Sequence, residues 1–175
     1  MRYVALLSGV NLGKHRRIAM AELRGLLAGL GYTEARTHLQ SGNAVFSAPE
    51  RPSEQIAAEI EDRIAREAGF EVGVVVRTAG QLRAVVESVP LDIRDPARFL
   101  VLFLAEPPDP ERLVAIDAES FAPEEMGVGE RELYLFLPDG VRNARLPAIL
   151  QKHMPGPATA RNWSTVTRLL ELAEG

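Results

Sequence analysis

Apolar residues in this chain recur at two different periods, and the changes of period mark its elements. Tyr3 to Leu7 is almost uniformly apolar, as expected of a strand buried on both faces. The loop Ser8-Gly9-Val10-Asn11-Leu12-Gly13-Lys14 stops it. Met20, Leu23, Leu27 and Leu30, with Leu26 beside them, then follow helical spacing and predict a helix over 19 to 30, with Gly31 at its C-terminal cap. Thr37-His38-Leu39-Gln40 and Ala44-Val45-Phe46-Ser47 flank Ser41-Gly42-Asn43, a short glycine-containing link that predicts a tight antiparallel hairpin. A second helix opens at Pro52-Ser53-Glu54, with Ser53 as its expected cap and Ile56, Ile60 and Ile64 as its buried stripe. On its other face Glu59 with Arg63, and Asp62 with Arg66, are spaced as solvent-facing i,i+4 pairs. Gly69 ends this helix, and Val72, Val74 and Val76 alternate through a fourth strand. Thr78 and Gln81 form a capping box for a further helix carrying Leu82, Val85, Val86 and Val89, which Pro90 stops.

Strand, helix, strand, strand, helix, strand is the split order of a ferredoxin-like domain. The same order returns after Val89 to Pro96, a stretch with two prolines, three charges and no periodicity. A buried strand is expected at Phe99 to Leu104, and a short helix capped by Asp109 and begun by Pro110. A hairpin of residues 121 to 128 and 133 to 137 turns around Gly129-Glu130-Arg131, and a helix spans 145 to 153. An extended piece at Ala158 to Ala160 leads to a last helix from about Trp163 to Ala173. The predicted fold class is α+β: two ferredoxin-like βαββαβ halves with antiparallel sheets, residues 1–92 and 93–175, each followed by an extra helix. The copy is one of elements; no residue-level repeat is visible.

Composition narrows the function classes. The 175 residues are 46% hydrophobic and 25% charged, ordinary globular usage that sets aside disorder. Without cysteine there is no disulfide framework, thiolate metal site or cysteine nucleophile. Met1 to Leu7 is too short for a signal sequence or a bilayer span, so a cytoplasmic protein with no membrane partner is expected. A net charge of -4 opposes non-specific nucleic-acid binding.

Two runs resemble the signatures of an uncharacterised bacterial group, the DUF1697 family. One comprises Leu6-Leu7-Ser8-Gly9-Val10-Asn11-Leu12-Gly13, Met20-Ala21-Glu22-Leu23 and Gln40-Ser41-Gly42-Asn43. The other is Thr159-Ala160-Arg161-Asn162-Trp163-Ser164-Thr165-Val166, with Tyr134-Leu135-Phe136-Leu137-Pro138-Asp139-Gly140 between them. The resemblance implies two ferredoxin-like halves and brings no assigned activity. The chain departs from the family pattern at Ser8, usually arginine, and at Ala144-Arg145-Leu146, usually Ser-Lys-Leu.

Gly9 to Lys14 lies between a strand and a helix as a phosphate loop would, but three residues separate Gly9 from Gly13-Lys14 and His15 follows, which is not Walker spacing. What remains is either a plain turn or a weaker anion site using Gly9, Asn11, Gly13 and the cationic run Lys14-His15-Arg16-Arg17. Ser41 and Asn43 are hairpin-tip residues that topology brings near that loop. Arg161, Asn162 and Trp163 read either as an acid partner, a helix cap and a packing anchor, or as an anion fork beside a stacking platform. His15, His38 and His153 have no partner at metal-ligand spacing, so no metal is expected, and whether a cofactor is used is not legible. The leading expectation is a small anionic or phosphorylated ligand at the first strand-to-helix loop, with catalysis left open. An RNA-binding module ranks lower for want of aromatic motifs and basic charge. A ligand-free interaction protein is the third reading. Oligomeric state is not legible.

Overall fold

The structure is a computed structural model that describes residues 1–154 and 156–175. The chain divides into two compact units, Met1–Arg83 with Arg168–Gly175, and Ala84–Thr167. In the first unit, β1 (Arg2–Leu7), α1 (Met20–Gly29), β2 (Thr33–His38), β3 (Asn43–Ser47), α2 (Ser53–Ala68) and β4 (Val74–Thr78) form a four-stranded sheet of order β2-β3-β1-β4 with its helices. The second repeats this with β5 (Phe99–Leu104), α4 (Pro110–Ile116), β6 (Glu125–Val128), β7 (Glu132–Phe136), α5 (Leu146–His153) and β8 (Ala158–Asn162), in the order β6-β7-β5-β8. All strand pairs are antiparallel. The extra helices α3 (Ala79–Glu87) and α6 (Trp163–Glu174) follow β4 and β8, so the expected α+β architecture of two similar halves holds.

Alternation along β1 explains why it looked uniformly apolar. Tyr3, Ala5 and Leu7 join the cluster formed with Leu23 and Leu27 of α1 and Ile56, Ile60 and Ile64 of α2, while Val4 and Leu6 are buried on the opposite face. In the second unit Leu100, Leu102 and Leu104 pack with Leu146 and Leu150 of α5, and Val101 and Phe103 are buried on the other face. Both extra helices start as expected. Thr78 Oγ1 accepts from the Gln81 amide at 3.0 Å while Gln81 Oε1 accepts from the Thr78 amide at 2.9 Å, and Asn162 Oδ1 accepts from the Thr165 amide at 2.9 Å.

Three local expectations are corrected. The second strand runs from Thr33 to His38, not from 37 to 40, because Leu39 adopts φ 62 and leaves the strand. The sixth begins at Glu125, since residues 118 to 121 form a 3-10 turn and Pro123 cannot donate to a ladder. Ser53 is the first residue of α2 and not its cap; Pro52 holds that position without a side-chain hydrogen bond.

The strand registers reveal a residue-level correspondence between the halves. Val4 faces Val45 and Arg77 as Val101 faces Tyr134 and Arg161. The polar residues Asn43 and Glu132, opposite Leu6 and Phe103, are likewise equivalent and both buried. Even the backbone closures match: the Leu7 amide donates to Gly42 O and the Ser8 amide to Gly73 O, as Leu104 does to Arg131 O and Ala105 to Pro157 O. No fixed repeat was visible because the spacing drifts. Val4 and Val101 are 97 positions apart, Val45 and Tyr134 are 89, and Arg77 and Arg161 are 84.

Candidate functional site

At the C-terminal end of β1 the chain leaves the sheet as a twelve-residue loop, 8–19. Asn11 organises it. Its side-chain amide donates to Ile18 O at 2.8 Å and to Gln40 O at 2.7 Å, its Oδ1 accepts from the Ile18 amide at 2.9 Å, and its own backbone amide donates to Arg16 O at 3.1 Å. This one side chain closes the neck of the loop and ties it to the β2–β3 turn; its left-handed φ of 56 is a conformation asparagine tolerates better than most residues. The expectation from topology that the two segments meet is met, within the first unit.

The turn is built as tightly. Asn43 is fully buried, and its side-chain amide donates to His38 O at 2.8 Å and to Ser41 Oγ at 3.0 Å. Gly42 has φ 88, and a Cβ there would sit 2.7 Å from Leu7 Cβ and 2.9 Å from Val10 Cγ2. Asn11 and Asn43 are therefore scaffold: their side chains hold the backbone of Ile18, Gln40 and His38 and the Ser41 hydroxyl. Arg16 is also tied back, donating to Glu71 O at 2.8 Å with its guanidinium 6.0 Å from the Phe70 ring centre. Arg17 reaches Gly13 O at 3.1 Å and remains exposed. Lys14 and His15 are exposed, and their side chains make no hydrogen bond or ion pair among the described residues. The helix itself starts only at Met20, behind a cap residue, Ala19, that makes no side-chain hydrogen bond, so the cationic run stands in the loop ahead of α1. Gly9, at φ 69, turns the chain out of β1, and Gly13 has no heavy atom within 4 Å of a would-be Cβ.

Arg161, Asn162 and Trp163 belong to the second unit. Arg161 is 8% exposed, and its guanidinium donates to Thr159 Oγ1 at 2.7 Å and Ala160 O at 2.9 Å. Burial pushes its pKa down to about 10, still well above neutrality. Asn162 caps α6, and Trp163 stands edge-on to Phe99 with ring centres 5.6 Å apart, the packing-anchor role.

Sequence reasoning missed a polar cluster in the first unit. Glu59 does not pair with Arg63. It accepts from the Tyr32 hydroxyl and from the Arg51 guanidinium, both at 2.5 Å, while Arg63 pairs with Glu67 at 3.2 Å; the expected Asp62–Arg66 pair forms at 3.1 Å. Arg51 also lies 5.8 Å from the Tyr32 ring centre, and its backbone amide and carbonyl both bond the Tyr3 hydroxyl, at 3.0 and 2.9 Å. Tyr32 in turn stacks on Phe46 at 4.9 Å. Burial first, and the Glu59 hydrogen bond second, push the Tyr32 hydroxyl up to about 12, so it donates at neutral pH and cannot serve as a base. The signal was present: Glu59 sits three residues after Ile56 and one before Ile60, at the margin of the buried stripe.

Among the described residues no group of three or more His, Asp or Glu side chains could hold a metal ion, and no helix is long and apolar enough to cross a membrane. The structure is similar to that of a conserved bacterial protein from Streptococcus pneumoniae, with a TM-score of 0.78 over 98% of both chains at 24% identity, a likeness of fold. None of the curated proteins is similar to the chain. The family model for proteins of unknown function called DUF1697 matches residues 1–134, most of the chain and all of the loop-and-turn region, and the protein belongs to that family.

Proposed function

We propose that this protein binds a small anionic, phosphorylated ligand at the β1–α1 loop, held by Lys14, His15 and Arg17 beside Ser41. The observation that carries this reading is internal. The second half makes the equivalent connection, from β5 to α4, with five residues, 105–109, including Glu106 and Asp109 and two prolines. The first half spends twelve residues on the same connection and puts four basic side chains in succession there. The matching strand closures form with either length, and between the buried Val10 and Ile18, which join the core, residues 12–17 are exposed. Long loops on rigid scaffolds are where binding groups concentrate. A loop pinned at its neck also loses less entropy on engaging a ligand than a free one.

Lys14→Ala with Arg17→Ala tests the reading, because both side chains are exposed and their loss should leave the melting temperature of the free protein unchanged. Pyrophosphate should raise the wild-type melting temperature, as any ligand selective for the native state does, and the double variant should lose most of that rise. An equal rise in both proteins would remove the site from this loop.

A further inference from the structure

Beyond Met1, the large hydrophobic side chains exposed in the first unit, among the described residues, are two: Leu12 at 84% and Leu39 at 58%. They are far apart in sequence yet adjoin the same contact. Leu12 follows Asn11 and Leu39 precedes Gln40, and the Asn11 side chain donates to Gln40 O at 2.7 Å. Both therefore flank the neck of the cationic loop. Neither position favours leucine on local grounds. Leu39 holds φ 62, where a branched side chain is strained and asparagine or glycine would be at ease, and Leu12 is almost wholly in water. Exposed apolar side chains beside convergent polar groups are the makings of a site for a ligand that is itself part apolar.

We propose that the ligand of this loop is an amphiphilic phosphate monoester, its phosphate taken by Lys14, His15 and Arg17 and its hydrocarbon chain laid on Leu12 and Leu39. This rests on the anion-binding reading above and adds the chemical class. A compact phosphate would use the cations alone and leave both leucines in water. An alkyl phosphate removes apolar surface from water on both partners, so affinity rises with chain length.

Titration calorimetry with octyl phosphate, held below its micelle concentration, and with methyl phosphate provides the test. Octyl phosphate should bind at least about tenfold more tightly, the factor expected from burying a few methylene groups. Leu12→Ser with Leu39→Ser should abolish that advantage without weakening methyl phosphate, and circular dichroism should show the variant folded. If wild type binds the two esters equally, the amphiphile proposal fails while anion binding stands. Binding of neither ester overturns both. Octyl glucoside binding as tightly as octyl phosphate would overturn the proposal by showing that the phosphate plays no part. Binding to phosphatidylglycerol vesicles without binding to monomeric octyl phosphate would also overturn it, in favour of a surface contact.

Discussion

Single residues at the end of the first sheet carry unusually specific demands. Gly42 combines a left-handed φ with two contacts that no β-carbon could occupy without displacing Leu7 and Val10. Gly42→Ala should therefore cost about 2 to 4 kcal/mol, the conformational strain plus the overpacking, read as a lowered denaturant midpoint with unchanged slope. Asn43 makes its demand through hydrogen bonds: Asn43→Ala removes the buried amide that donates to the half-buried His38 O and Ser41 Oγ and should cost about 1 to 3 kcal/mol by the same measurement. Leu39 points the other way. With its φ of 62 and an exposed side chain, Leu39→Asn should stabilise the free protein by about 0.5 to 1 kcal/mol, and a lowered midpoint would show that the leucine is held by packing. The turn was legible in Ser41-Gly42-Asn43 because its residues are chosen for backbone reasons, and backbone reasons leave a local signature. Glu59 was not legible in the same way. Its partners, Tyr32 and Arg51, are 27 and 8 residues away, and helical spacing offered Arg63 as a nearer and equally plausible one.

Elements were legible where their own sequence ends them, and less so where distant residues do. Helices α3 and α4 carry their caps, Thr78 and Asp109, and α2 stops at Gly69 with φ 80. The N-terminus of α5 is finished instead by Glu124, 22 residues upstream of Leu146. Its carboxylate accepts from the Arg145 amide at 3.0 and 3.1 Å and the Leu146 amide at 3.0 Å, beside an Arg145 guanidinium lying over the Phe121 ring at 5.0 Å. A carboxylate in that place satisfies orphan amides and favours the helix dipole. Glu124→Ala should cost about 1 kcal/mol, and an unchanged stability would show that water replaces it fully. In α1, Leu27 is fully buried in the cluster with the α2 isoleucines, so Leu27→Ala should cost about 2 to 5 kcal/mol by denaturant melts. The extended spans on either side of the hairpin tips were the least legible, because β2 alternates charged with small residues and carries an irregularity between Thr33 and Arg36 that blurs a period of two.

At the scale of the whole molecule the two halves are built to one plan, and each places a buried tyrosine where it titrates late. Burial pushes Tyr32 in the first unit and Tyr134 in the second up to about 12, helped by Glu59 and by the charge of Glu132 respectively. An unfolded chain releases these protons near the ordinary tyrosine value of about 10, so between the two values the unfolded state binds fewer protons than the folded one. The stabilisation is complete below about pH 10 and is lost as pH climbs toward 12. Arg161 acts in the opposite sense. Its folded pKa, pushed down by burial to about 10, makes the folded state release a proton first, which favours folding over part of the same range. The wild-type profile is thus a difference of opposed contributions, and variants separate them. Tyr32→Phe removes the hydroxyl that donates to Glu59, so it should be less stable near neutrality yet lose less stability than wild type between about pH 9 and about pH 11.5, followed by urea midpoints. Tyr134→Phe, which loses a hydrogen bond to Val85 O at 2.9 Å, should flatten the profile in the same direction. A Tyr32→Phe profile falling as steeply as wild type would mean that this hydroxyl ionises at its ordinary value, and that the bond to Glu59 does not hold its proton.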